Sequence, residues 1–103
     1  MRNRELIDRL VMANLPVGRE NAIKSHKLTE LTGLKGNEIR TSVNRLRASF
    51  YPICSTEKGY YLTDCADDID ITIKIYNSRI HKMIQAREGL AKAKQKMMME
   101  GNV

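Results

Sequence analysis

Asn37, Arg40, Thr41 and Asn44 recur at helical spacing within "GNEIRTSVNRLR", and each belongs to a residue type that bonds base edges. Asn makes two hydrogen bonds to adenine, Arg does the same to guanine, and Thr meets a base or a thymine methyl. Turning 100° per residue from the apolar Ile39 carries Asn37, Thr41 and Asn44 toward the opposite face, with Arg40 and Arg45 beside them. Lys35 and Arg47 stand at the ends of this stretch, where phosphates are expected, and the first amides of the helix suit a further phosphate. Glu38 alone opposes a polyanion in this segment. A solvated polar face is the competing reading, and the segment by itself does not decide between them.

Other chemistry finds little support. The aspartates at 64, 67, 68 and 70 lack the glycine and the ligand alternation of a calcium loop, so a charged helix start explains them better. Cys54 and Cys65 are far in sequence from His26 and His81, and no zinc-ligand spacing appears. Two cysteines make no disulfide framework. No nucleophile, base and orienting group come from neighbouring positions, so an enzyme, a metal and a cofactor are not expected.

The elements that must hold these side chains follow from hydrophobic periodicity. Leu6, Ile7, Leu10, Val11 and Leu15 predict a first helix, with Asn3 as its N-cap and Pro16 as its end. Ile23 in "NAIKS" predicts a short strand or extended bridge. Ser25 is the candidate cap of a second helix whose apolar face is Leu28 and Leu31, and Gly33 stops it. A third helix runs from Gly36 to about Ser49 with a stripe of Ile39, Val43, Leu46 and Phe50, and Lys35 sits where a capping side chain is preferred. "YPICSTEKGYYLTD" then changes to strand period and predicts a β-hairpin, with Lys58 at its tip and Gly59 at positive φ.

From Ala66 the period is helical again. Ile69, Ile73, Tyr76, Ile80, Met83, Arg87, Leu90, Lys94 and Met97 step by four and three as a heptad seam does. This predicts one helix of about 30 residues, roughly 45 Å long, with a frayed end after about residue 97. The fold class expected is mostly α with a small β-hairpin, divided into residues 1–63 and a long basic C-terminal helix, 64–103. Ile69, Ile73, Tyr76, Ile80, Met83 and Leu90 are the candidates for packing or dimerisation. In a parallel pair Arg87 and Lys94 would each face its own copy, which favours an antiparallel pair or packing of the first half within the chain.

At "LTELTGLKGNEIRTSVNRLR...YPICSTEKGYYL" the chain resembles the winged helix-turn-helix domain at the N-terminus of biotin repressor-type regulators, over about residues 3–63. Leu28, Leu31, Gly33, Leu34, Ile39, Val43 and Leu46 fall at core positions of that motif, and "KGYYL" matches its second wing strand. The string "GRENAI" is also similar to small winged-helix proteins of Gram-positive phages. The resemblance implies a DNA-binding regulator of transcription or replication, with Lys35, Asn37, Arg40, Thr41, Asn44, Arg45, Arg47 and Lys58 at the DNA.

Charge agrees with a polyanionic partner, nucleic acid or an anionic membrane surface, without choosing between the two. The net charge is +6 and the basic groups lie on both sides of an acidic joint: residues 1–63 carry 11 bases and 6 acids, 64–71 carry four Asp, and 72–103 carry 7 bases and 2 acids. No apolar run approaches the roughly 18 residues of a membrane span, and "MRNRELIDRL" is not signal-like. A cytoplasmic protein is therefore expected, with double-stranded DNA as partner and a homodimer through the last helix. The alternative is an interaction module whose long basic helix binds a host protein.

Overall fold

The computed structural model describes residues 3–101. In chain order they form α1 (Arg4–Asn14), a 3₁₀ turn (Arg19–Asn21), α2 (Ser25–Thr32), α3 (Gly36–Ala48), β1 (Ile53–Thr56), β2 (Gly59–Leu62) and α4 (Ala66–Gly101). The protein is mostly α-helical, with one antiparallel hairpin and a long C-terminal helix. It divides into two compact units between Thr72 and Ile73, so the first turns of α4 belong with the N-terminal unit.

The N-terminal unit encloses Ile7, Val11 and Leu15 of α1, Leu28 and Leu34 around the α2–α3 turn, Ile39, Val43 and Leu46 of α3, and Ile53 of β1. Each such side chain contributes about 2 kcal/mol by leaving water. The stripe on α1 repeats every four residues, and the Asn3 carboxamide oxygen caps that helix by accepting from the Leu6 N–H at 2.8 Å. Gly33 ends α2 in the left-handed region at φ 73°, its N–H donating to the Thr29 carbonyl. Glycine enters that region without steric cost, and the turn frees α3 to take a new direction.

The hairpin pairs Ile53 with Leu62 and Thr56 with Gly59, leaving Glu57 and Lys58 as its loop. The outer edge of β2 is covered by the chain that follows α1. Gly18 donates to Leu62, Leu62 donates to Pro16, and Ile23 and Tyr60 exchange both of their backbone hydrogen bonds at 2.9 and 2.8 Å. The expected extended bridge at Ile23 is therefore present, and it keeps β2 from offering a bare edge to other chains.

Three expectations fail for local reasons. Ser25 is the first residue of α2 and Lys24 holds the cap position without a side-chain bond. Leu31 faces outward, because α2 is only two turns long and buries Leu28 alone. Phe50 does not extend the α3 stripe: it is 96% exposed and has φ 75°. Helix α3 stops at Ala48, and the Tyr51 N–H reaches back to Leu46 while the Phe50 N–H reaches Arg47. This pairing reverses the chain with the residue after the cap left-handed, a position normally given to glycine. The reversal turns the ring away from the core. Phe50→Gly is therefore expected to stabilise the protein by about 1 kcal/mol, read as a higher urea midpoint; an unchanged or lower midpoint would show that the ring contributes contacts.

In α4, Thr72 is buried, Ile69, Ile75 and Tyr76 are half-buried, and every residue from Asn77 to Gly101 is exposed. The helix continues past residue 97, where fraying was expected, as far as Gly101. Asp67 and Asp68 lie in its first turn, where the helix dipole favours negative charge. Asp68 also accepts from the Thr63 hydroxyl at 3.1 Å, tying the end of β2 to the helix start. No helix among the described residues is long and apolar enough to cross a membrane.

Candidate functional site

Helix α3 separates its side chains as the 100° step requires. Ile39, Ser42, Val43 and Leu46 are buried, and Asn37, Arg40, Thr41 and Asn44 are exposed together on the opposite side. Lys35 is exposed just before the first turn. The one carboxylate of the helix does not join this face: Glu38 is half-buried and its Oε1 accepts from the Lys35 N–H at 2.9 Å. It closes the end of the helix that Lys35, whose ammonium has no acceptor atom, leaves uncapped. The exposed face of α3 thus presents amide, hydroxyl and guanidinium groups without an opposing charge.

Two of the arginines expected at a ligand are engaged inside the protein. Arg45 is half-buried, and its Nη2 and Nε donate to both carboxylate oxygens of Asp8, at 2.7 and 3.3 Å. The buried Ser42 hydroxyl donates to the same carboxylate at 2.6 Å. Burial pushes the Asp8 carboxyl up, but the bonds from Arg45 and Ser42 and the charges of Arg45 and Arg4 outweigh it and hold the group below its usual 3.8. Asp8 therefore locks α3 to α1 and sets how α3 is presented. Arg47 does a similar task at the other end, donating to the Ile53 carbonyl at 2.8 Å and the Ser55 hydroxyl at 3.3 Å, with its guanidinium 5.9 Å from the centre of the Tyr60 ring. It fixes the hairpin against α3.

No family model, curated protein or solved structure matches the chain. The site is accordingly defined by its own geometry.

Lys58 is exposed in the hairpin loop, its N–H held by the Thr56 hydroxyl at 3.0 Å. Beside it a shallow cleft of about 310 Å³ is lined by Arg19, Glu20, Thr56, Glu57 and Lys58. Two cations and two carboxylates balance there, so the cleft has no preference for an anion. Among the described residues no group of three His, Cys, Asp or Glu side chains is placed to hold a metal ion. Tyr61 is buried in the hairpin, and that burial, with Cys54 and Asp68 nearby, pushes its hydroxyl up to about 12, so it stays protonated and structural. Asp8 and Ser42, which position the exposed face, carry no local sequence signal of this role, because the pair lies 34 residues apart.

Proposed function

We propose that the chain binds double-stranded DNA sequence-specifically as a winged helix, with α3 in the major groove and the hairpin as its wing, and that it regulates transcription or replication. The observation that carries this reading is the outward face of α3, where Asn37, Arg40, Thr41 and Asn44 are exposed together while the Glu38 carboxylate is turned to the helix cap. The order of three helices and a hairpin supports it, as does the excess of 11 bases over 6 acids in residues 1–63. Asn37, Arg40, Thr41 and Asn44 read bases; Lys35 and Lys58 meet phosphates. Arg45 and Arg47 act indirectly, by holding α3 and the hairpin in place.

Gel shifts at about 50 mM salt, where counterion release favours binding, test the reading. The double variant Arg40→Ala, Asn44→Ala is expected to lose about a hundredfold or more in affinity for a selected site, since each base contact is worth about 1–3 kcal/mol. Lys58→Ala should weaken all sequences alike and lower the salt slope by about 1. Failure of the intact protein to retain any duplex under these conditions rejects the proposal. The alternative, a protein-interaction role for the exposed basic helix, predicts instead that truncation after Tyr76 abolishes function while the α3 variants preserve it.

A further inference from the structure

Every residue of α4 from Asn77 to Gly101 is exposed, yet its large apolar side chains, Met99 excepted, are gathered on one side. At 100° per residue, Ile80, Met83, Ile84, Leu90, Met97 and Met98 fall on one half of the helix, and Arg87 and Lys94 lie in the middle of that half. We infer that this face is an antiparallel homodimer interface in which Asn77 of one protomer lies at the level of the partner's Glu100.

Orientation follows from the two central cations. A parallel pair sets Arg87 against its own copy and Lys94 against its own copy. In the antiparallel pair Ile80 meets the partner's Met97, Met83 meets the partner's Lys94, and Arg87 meets the partner's Leu90. The stems of Arg87 and Lys94 then cover apolar surface while their charged ends reach water at the rim.

Register follows from the flanks. Alignments that keep the heptad phase differ by whole heptads, and this one sets Arg79 against the partner's Glu100, twice by symmetry. A shift of one heptad either way places Glu100 against Thr72 or Ala86 of the other chain. In the chosen register Ala86 meets the partner's Ala93 and Ile84 meets the partner's Ala91. Small side chains at these flanks let the axes approach to the short end of the usual 8–10 Å range. The overlap 77–100 also coincides with the fully exposed stretch of α4, which begins just after the half-buried Ile75 and Tyr76.

Residues 77–100 carry six cations and two carboxylates, so two copies repel at long range. Dimerisation should therefore tighten as salt rises, opposite to duplex binding, which weakens. Sedimentation equilibrium of the full chain at about 50 and 500 mM salt tests this, with circular dichroism confirming helix content in every variant. The expected result is a concentration-dependent monomer–dimer equilibrium, tighter in the Arg87→Leu, Lys94→Leu double variant by roughly tenfold or more. Arg79→Glu and Glu100→Arg should each weaken it by roughly five- to thirtyfold, and the two together should restore it. A monomer at all concentrations and both salts, in the wild type and in the double leucine variant, overturns the inference, as does a dimer indifferent to the charge reversals. Duplex affinity measured on the same samples is a separate readout, so the dimer and the DNA-binding proposal fail independently.

Discussion

Replacing Gly59 with alanine is expected to cost about 3 kcal/mol or more, seen as a large drop in the urea midpoint. Gly59 has φ 121°, and a Cβ at this position would lie 2.1 Å from the Ile23 carbonyl oxygen and 2.6 Å from the Lys24 nitrogen. The obstacle is backbone rather than a side chain that can swing aside. Accommodating it separates Ile23 from Tyr60, losing two backbone hydrogen bonds, and strain at an unfavourable φ adds about 1–3 kcal/mol. The sign is opposite to that for Phe50→Gly because both residues have positive φ, which favours glycine, and the two substitutions run in opposite directions. An alanine variant as stable as the parent would mean that the bridge between the 16–23 segment and β2 does not hold the hairpin.

The second large effect belongs to Asp8. Asp8→Ala leaves the Arg45 guanidinium and the buried Ser42 hydroxyl without their acceptor, and is expected to cost about 2 kcal/mol. A fully buried ion pair would lose more, but the two side chains here retain 23% and 27% exposure, which lets water compensate in part. The carboxyl is held below 3.8 in the folded protein. Its contribution is therefore present in full above the unfolded value and is lost as pH falls through the lower folded value. Denaturation curves measured from pH 7 down through about 3 should show this loss in the parent and not in Asp8→Asn, whose amide does not titrate over that range. Equal acid sensitivity in both proteins would remove Asp8 from the account. Because the carboxylate joins α1 to α3, the same variants should also weaken duplex binding, without touching any residue of the outward face.

Much of this arrangement is legible in the sequence itself. Periodicity placed all four helices, Asn3 named its own cap, and Gly33 and the change of period at Ile53 marked the turn and the hairpin. The outward face of α3 followed from one buried residue, Ile39, and the helical step. What local pattern does not encode is pairing at a distance. Arg45 looked like its exposed neighbours because its partner lies 37 residues earlier in the chain, and the bonds of Arg47 to the hairpin depend on where β1 crosses α3. Phe50 failed for a related reason: its spacing suited the stripe, but spacing carries meaning only while the helix continues, and the chain reverses at Ser49.

The uniform exposure of residues 77–101 has a consequence for how the chain breathes. Amides in the core of the N-terminal unit should be released for hydrogen exchange only by near-global opening, whereas those of the isolated helix are protected by helix–coil equilibrium alone, which unzips from the end in about microseconds. Deuterium uptake across Asn77 to Gly101 is thus a clock for whatever covers the helix: rapid in a free monomer, and slowed in proportion to the fraction of time a partner lies against it.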